Sequence, residues 1–335
     1  MIISRTPYRI SFFGGGTDYP VWYNEHDGAV LATSINRYCY ITCRYLPPFF
    51  AHKYRVVYSI IEDVQSVDEI RHPAIREGLK FMRITDGLEI HHDGDLPARA
   101  GLGSSSSFTV GLLNALHALR GEMPTRLQLA LEAIRVERDL IAESVGSQDQ
   151  VTASFGGLNY ITFAPGDKIT IQPVTVTSER LQLLQSHLML FFTGFSRTAS
   201  EIAAEQIKNT PNRKVELHAI RALVDEAIKI LTAKGDIRDF GKLLHESWKL
   251  KRSISVRISN TLVDDVYAKA MAAGAIGGKL LGAGGGGFML LFVEPDKQLV
   301  VRAKLAHLLH VPFVFESLGS QIIFYEPGHV MTKPG

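Results

Sequence analysis

Hydrophobic and polar residues alternate over short stretches in the first hundred residues, and this period of two predicts β-strands. The strands predicted in this part cover residues 9–13, 30–44, 55–61 and 88–92. A helix is predicted over 74–83, because the preceding Pro73 suits a helix start. Two longer segments place leucine and isoleucine at helical spacing and predict helices over 104–119 and 126–144. The apolar face predicted for the second of them consists of Leu127, Leu131, Ile134 and Ile141.

The rest of the chain mixes strands and helices without regular alternation. Strands are predicted at 158–163, 169–176, 188–192 and 288–293, with a last pair within 313–325. Helices are predicted at 199–208, 214–233, 237–250, 262–273 and 296–309. This order predicts an α+β fold and not a series of strand–helix–strand units. A turn at residues 165–167 favours a division into two domains, 1–170 and 171–335.

The composition is that of a folded globular protein. The 335 residues are 46% hydrophobic and 21% charged, and such a chain can bury a large core without disulfides. The net charge of +2 produces no broad field that would favour nucleic acid or a membrane surface as a partner. The apolar runs are too short to span a bilayer. We therefore expect no nucleic acid and no membrane among its partners.

The cysteines indicate a reducing environment. Cys39 and Cys43 are four residues apart in a predicted strand, which separates them by roughly 13 Å. That distance is too long for a disulfide. Arginines also interrupt the N-terminal stretch where a signal peptide would need its apolar core. These features together predict a cytoplasmic protein.

Glycines concentrate in three clusters that could each bring backbone close to a ligand. The first contains Gly14, Gly15 and Gly16, followed shortly by Asp18, and taken alone it indicates no more than a tight turn with a capping carboxylate. The second, Gly101-Leu102-Gly103, leads through four serines into the predicted helix at 104–119. A helix N-terminus binds anions, and four serines exceed what capping needs, so this cluster favours a phosphate site.

The third cluster covers residues 282–287 and opens the predicted strand at 288–293. Its glycines have no side chains to pack, and close approach of the backbone to a ligand or to another loop would compensate for that loss of stability. A flexible turn is the alternative. The cluster matches G-x-G-x-x-G, but the dinucleotide motif requires a helix after it, so we reject that match. No stretch fits G-x-x-x-x-G-K-[ST]. The tripeptide Asp239-Phe240-Gly241 lies in a helical pattern and is interpreted as a chance match to the protein-kinase magnesium motif.

Two acidic residues fit the needs of phosphoryl transfer, which are bound magnesium and a carboxylate to take a hydroxyl proton. Glu137 lies on the predicted helix at 126–144, and Asp149 follows where that helix is expected to have ended. A solvated helix face for Glu137 and a loop cap for Asp149 are the alternatives. Residue type alone does not decide between them.

The three clusters and the acidic pair resemble the GHMP kinases, in order and spacing, along nearly the whole chain. The serine-rich motif that starts at Pro97 and the glycines at 282–287 are the most characteristic parts. The resemblance implies an N-terminal domain like ribosomal protein S5 domain 2 and a C-terminal ferredoxin-like domain, with ATP and magnesium bound between them. It implies a catalytic base at Asp149, a neighbouring Arg9, magnesium ligands at Ser105 and Glu137, and a sugar-binding carboxylate at Asp18. The implied ATP contacts are Gly101, Leu102, Gly103, Ser104, Ser105, Ser106 and Ser107.

Within the family, the glycines of the first cluster are similar to those of bacterial D-glycero-D-manno-heptose 7-phosphate kinases. Galactokinases carry Glu-His where this chain has Gly15-Gly16, so two side chains that contact the sugar in galactokinases are missing. Galactose is therefore not the expected acceptor. The implied substrate contacts are Gly15, Gly16, Asp18 and Gly285, with Arg197 and Lys279 as the candidates for binding a distal phosphate. Ordinary surface charge is the alternative for both cations.

The resemblance therefore implies an ATP-dependent kinase that phosphorylates the anomeric hydroxyl of heptose 7-phosphate, on a route to nucleotide-activated heptose for surface polysaccharide. Its partners would be ATP and a small sugar phosphate, and a homodimer is compatible with the resemblance. One alternative is a kinase for a fucose-like or mannose-like sugar. Another is a non-catalytic sugar or nucleotide sensor, although such a protein would be expected to lack the base or the magnesium ligand.

Overall fold

The computed structural model of the chain describes residues 1–98, 100–194 and 199–328. Its strands are β1 (Ile2–Phe13), β2 (Gly28–Tyr45), β3 (Tyr54–Val57), β4 (Ile61–Val64), β5 (Leu88–Gly94), β6 (Leu158–Ala164), β7 (Lys168–Pro173), β8 (Leu188–Gly194), β9 (Ala275–Leu280), β10 (Gly287–Val293), β11 (Leu309–His310), β12 (Phe315–Glu316) and β13 (Gln321–Tyr325). Its α-helices are α1 (Pro20–Tyr23), α2 (Pro73–Phe81), α3 (Ser104–Leu119), α4 (Arg126–Arg135), α5 (Gln148–Phe155), α6 (Ser178–Ser186), α7 (Ala199–Asn209), α8 (Lys214–Thr232), α9 (Arg238–Ile254), α10 (Thr261–Ala272) and α11 (Gln298–Lys304).

The strands form two sheets, which confirms the predicted two-domain α+β fold. The first sheet has the order β13-β1-β2-β5-β3-β4, and β6, β7 and β12 join it along β2. The second has the order β11-β8-β10-β9 and is antiparallel. The first and second glycine clusters lie beside strands β1 and β2, since a Cβ at Gly14 would lie 1.9 Å from the carbonyl oxygen of Ala29 and the N–H of Arg9 donates to the carbonyl oxygen of Leu102.

The chain does not divide at one point between the two sheets. The predicted boundary after residue 170 falls within β7, which pairs with β6 in the first sheet. Near the end of the chain, β12 pairs with β2 and β13 pairs with β1, with Ile2 opposite Tyr325. The last strands therefore belong to the first sheet although they follow the second one in sequence.

Some predicted elements need correction. The helix predicted over 126–144 ends as α-helix at Arg135 and continues as a π-helical turn, Val136–Leu140. Of the apolar face predicted for it, Ile134 is buried and Ile141 packs against the core, but Leu127 and Leu131 are exposed. Leu129, Ala130 and Ala133 are buried in their place. The pattern was ambiguous because small alanines, and not leucines alone, make the contact with the core. Helices α5 and α6 and strand β9 were not predicted.

Phe240 joins the cores of the two sheets. Its ring lies edge-on to Phe12 and Phe13 of β1, with centroids 5.4 and 5.1 Å away, and its centroid is 6.3 Å from that of Phe292 on β10. It is fully buried within α9, which confirms that the tripeptide around it lies in a helix. The tripeptide thus has a packing role here.

Cys39 and Cys43 are buried free thiols, as the strand spacing predicted. Among the helices in the described part of the chain, none combines the length and hydropathy needed to cross a membrane.

Candidate active site

A cleft of about 790 Å³ lies between the two sheets, a volume typical of small-molecule sites. One wall comes from β1, the N-terminus of α3 and the segment before α5. The opposite wall comes from α7, α9, the end of β9 and the loop after it. Both domains therefore contribute side chains to one site.

Arg9 and Asp149 form a bidentate ion pair in this cleft. Nε of Arg9 donates to Oδ1 of Asp149 and Nη2 donates to Oδ2, each at 2.7 Å. Nη1 donates to the carbonyl oxygen of Gly101, also at 2.7 Å. Two parallel charge-assisted hydrogen bonds fix both the position and the plane of the carboxylate. Asp149 lies in the first turn of α5, so its predicted position in a loop is wrong.

The second and third glycine clusters pack backbone against backbone. A Cβ atom at Gly101 would lie 2.4 Å from the carbonyl oxygen of Leu281, and one at Gly282 would lie 2.4 Å from the Cα of Gly101. Both glycines also have left-handed φ angles, 87° and 76°. The third cluster is therefore compensated by its contact with another loop, which was one of the two predicted explanations.

This contact aims the N-terminus of α3 at the cleft. The cleft is lined there by Gly103, Ser104, Ser105 and Ser106, and Gly103 is the left-handed N-cap residue. Backbone N–H groups and the helix dipole favour an anion at such a position. The predicted phosphate loop is thus placed where ATP phosphates could reach it.

Two residues of the predicted ATP-binding set lie behind the loop. Leu102 is buried, and its carbonyl oxygen accepts the N–H of Arg9 at 3.0 Å. The hydroxyl of Ser107 donates to the carbonyl oxygen of Pro7 at 2.9 Å, and its N–H donates to that of Gly103. Neither residue lines the cleft. In the structure both residues therefore hold the loop in place, and a contact of either one with ATP stays a prediction.

The predicted substrate contacts divide in the same way. Gly15, Gly16 and Lys279 line the cleft. Gly285 does not, because its N–H donates to the carbonyl oxygen of Ile258 and its own carbonyl oxygen accepts from Asn260. The contacts observed for Gly285 are therefore with a neighbouring loop, and its contact with substrate stays a prediction. Arg197 lies outside the described residues.

Asp18 is almost fully buried on the cleft wall. Its Oδ1 accepts the N–H of Gly16 at 3.0 Å, and its carbonyl oxygen accepts the N–H of Ser147 at 2.9 Å. A Cβ atom at Gly146 would lie 1.9 Å from its Oδ2, so only glycine fits there. Burial and, after it, the charge of Asp149 raise the pKa of the Asp18 carboxyl.

Glu137 is buried at the π-helical turn, a type of helix irregularity often found at functional sites. Its Oε2 accepts a hydrogen bond of 2.8 Å from the hydroxyl of Ser106 and another from the side-chain amide of Gln150. Its Oε1 has no hydrogen-bond partner among the described residues. Burial raises the pKa of Glu137 to about 7. The predicted partner Ser105 is exposed on the cleft wall, and Ser106 makes the contact with Glu137.

Two lysines from the second domain face the same cleft. Nζ of Lys279 donates to the carbonyl oxygen of Phe12 at 2.8 Å, and Nζ of Lys251 donates to that of Gly282. Burial lowers the pKa of Lys251 to about 8 and that of Lys279 well below its usual range. Sequence analysis missed Lys251, because α9 carries several basic residues and nothing in their spacing distinguishes the one that faces inward.

Family models match both halves of the chain. The model of the GHMP kinases N terminal domain matches residues 67–157, and the model of the GHMP kinases C terminal domain matches residues 218–310. Together they cover more than half of the chain.

Similar proteins agree with these matches. A D-glycero-alpha-D-manno-heptose 7-phosphate kinase of Campylobacter jejuni is 28% identical, with 89% of this chain and 91% of that protein aligned. A galactokinase of Pyrococcus furiosus is 26% identical, with 88% and 90% aligned. The crystal structure of a D-glycero-D-manno-heptose 1-phosphate kinase from Bacteroides thetaiotaomicron superimposes with a TM-score of 0.76 at 25% identity, covering 96% of this chain and 98% of that one.

The fold, the cleft beside the glycine loops, the two family models and these relatives lead to one conclusion. The chain belongs to the GHMP kinase family and is an ATP-dependent phosphotransferase.

Proposed function

We propose that the protein transfers the γ-phosphate of ATP to the anomeric hydroxyl of D-glycero-D-manno-heptose 7-phosphate and produces heptose 1,7-bisphosphate. The observation that carries this proposal is the fixed Asp149 carboxylate beside the N-terminus of α3 in one cleft. A carboxylate next to a phosphate-binding helix can take a hydroxyl proton while the phosphates are held. The product would lead towards nucleotide-activated heptose for surface polysaccharide.

A phosphorylated acceptor suits the charges of the cleft. Arg9, Lys251 and Lys279 bring three basic groups into the cleft, against Glu143, Asp149 and the Asp18 carboxyl with its raised pKa. Burial lowers the pKa of both lysines, and neither is paired with a carboxylate of the described residues, so a bound phosphate would be the partner that favours their protonated form. The similar C. jejuni protein is named for a heptose that carries a phosphate. These points support a sugar phosphate as the acceptor.

The residues of the cleft divide the chemistry between them. Asp149 accepts the proton of the attacking hydroxyl, and Arg9 holds that carboxylate in plane and balances charge on the transferring group. The N-terminus of α3 receives the phosphates of ATP. These groups lie on one wall of the cleft, and the opposite wall brings Lys251 of α9 and Lys279 of β9 towards them.

Magnesium would be held beside α3, where Ser106 lines the cleft and donates to Glu137, which is buried behind it. Glu137 is a buried carboxylate with one unpartnered oxygen, and hydroxyl and carboxylate oxygens are the ligands that Mg²⁺ prefers. Glu137 and Ser106 would hold the ion, with Ser105 on the adjacent cleft wall. Bound magnesium would neutralise charge on the phosphate oxygens. No cluster of three His, Cys, Asp or Glu side chains that could hold a metal ion occurs in the described residues, so the remaining ligands would be phosphate oxygens and water.

An unphosphorylated sugar is the second candidate acceptor, because galactokinases are among the relatives. The sensor alternative has less support, since the Arg9–Asp149 pair and Glu137 are in place.

Incubation of the purified protein with MgATP and single acceptors tests the proposal. The acceptors are heptose 7-phosphate, heptose, mannose, fucose and galactose, and phosphorus NMR follows ADP and new sugar phosphates. We expect a new anomeric phosphate with heptose 7-phosphate alone. Turnover of an unphosphorylated sugar in its place would contradict the assignment of the acceptor, and ATP binding without any turnover would favour the sensor.

Asp149→Asn removes the proton acceptor and keeps one oxygen for Arg9. We expect kcat to fall by roughly 10²–10⁴-fold, with the KM for ATP changed by less than about twofold. Asp167→Asn is the matched control, because Asp167 forms a similar fork with Arg138 at 2.9 Å outside the cleft. A near-normal kcat in the Asp149 variant would rule out the base.

The raised pKa of Glu137 predicts how the magnesium requirement depends on pH. Magnesium binds the ionised carboxylate. When the pH is below the Glu137 pKa of about 7, the metal ion must therefore displace a proton. We expect half-saturation of the reaction to require about tenfold more Mg²⁺ at pH 6 than at pH 8. Glu137→Gln should raise the Mg²⁺ concentration needed for half-saturation at both pH values and reduce the ratio of the pH 6 value to the pH 8 value. The protonation of ATP itself is the same for both proteins. An unchanged ratio in the variant would contradict the assignment of Glu137.

A further inference from the structure

Two polar side chains on the cleft wall have unused hydrogen-bonding atoms. Ser11 and Gln148 line the cleft and are only 6% and 9% exposed. The Oγ of Ser11 and the Oε1 of Gln148 are buried and have no hydrogen-bond partner among the described residues. A buried polar atom without a partner is destabilising, so both atoms call for a bound group or water.

These two residues lie directly beside the catalytic pair. Ser11 is two positions after Arg9 on β1, so their side chains leave the strand on the same face. Gln148 immediately precedes Asp149 at the start of α5. Ser11 and Gln148 thus come from the same two elements as Arg9 and Asp149 and lie on the same cleft wall.

Gly15 leaves open space between these side chains. A Cβ atom built on Gly15 would lie 3.7 Å from the Oγ of Ser11 and 3.7 Å from the Nε2 of Gln148, with no closer atom. Its neighbour Gly14 differs, since a Cβ there would lie 1.9 Å from the carbonyl oxygen of Ala29. Gly14 is therefore required by the fold, whereas the absent side chain of Gly15 creates room in the cleft.

We propose that Ser11, Gln148 and the space over Gly15 form a subsite that binds the hydroxyl groups of a polyhydroxy acceptor next to its reacting hydroxyl. This assignment rests on the proposed function, because it requires an acceptor in the same cleft. A sugar hydroxyl both donates and accepts, which matches the hydroxyl of Ser11 and the two ends of the Gln148 amide. An acceptor without neighbouring hydroxyls would leave these atoms unpaired and would be discriminated against.

The test compares Ser11→Ala, Gln148→Met and Gly15→Ala in steady-state kinetics with the acceptor that the wild-type enzyme turns over. We expect the acceptor KM to rise about three- to tenfold in each of the first two variants, the value of one hydrogen bond, with the KM for ATP unchanged. Gly15→Ala should raise the acceptor KM as well, because its methyl group occupies the subsite. Gly235→Ala is the matched control, since a Cβ there meets no atom within 4 Å and the loop is remote from the cleft.

Single-deoxy acceptors separate recognition from a general structural effect. The analogue that lacks the hydroxyl bound in the subsite should bind the wild-type enzyme more weakly than the full acceptor does. In Gln148→Met or Ser11→Ala, removing that hydroxyl should cause no further loss of affinity. If thermal denaturation shows that Gln148→Met is not folded, Gly15→Ala still provides the test, because its Cβ makes only ordinary contacts. An unchanged acceptor KM in the folded variants overturns the subsite alone. Turnover of no polyhydroxy acceptor by the wild-type enzyme overturns the proposed function and the subsite together.

Discussion

The rest of the site depends on one side chain, the guanidinium group of Arg9. It holds both oxygens of Asp149 on α5 and the carbonyl oxygen of Gly101 in the phosphate loop, while its own N–H binds the carbonyl oxygen of Leu102. Arg9 is 4% exposed, and a charged group buried to this extent needs such partners. Strand β1 thereby fixes the distance between the Asp149 carboxylate and the loop at Gly101–Leu102.

The glycines around this arginine serve different purposes. Gly101 and Gly282 allow two loops from different domains to touch through their backbones, which keeps the phosphate loop against the second domain. Gly146 makes room for the buried carboxylate of Asp18. Gly15 alone among these opens space inside the cleft. Among these four glycines, Gly101 and Gly282 therefore serve the contact between the domains, Gly146 serves packing within the first domain, and Gly15 serves the proposed subsite.

Sequence analysis predicted the parts of this arrangement that depend on local order. The helix Ser104–Leu119, the glycine and serine motifs and the pairing of Arg9 with Asp149 follow from short patterns and a family resemblance. Features that depend on tertiary contacts were missed or wrong. The inward direction of Lys251, the helix that begins at Gln148 and the loop contacts of Gly285 arise only when distant segments pack together.

The central claim is that the acceptor places its reacting hydroxyl at the Arg9–Asp149 pair. A crystal structure of the protein with a non-hydrolysable ATP analogue and heptose 7-phosphate measures this directly. The account predicts the anomeric oxygen at about 2.6–3.2 Å from a carboxylate oxygen of Asp149, with the γ-phosphate on the side of α3. A sugar bound with another hydroxyl at Asp149, or outside this cleft, would contradict it.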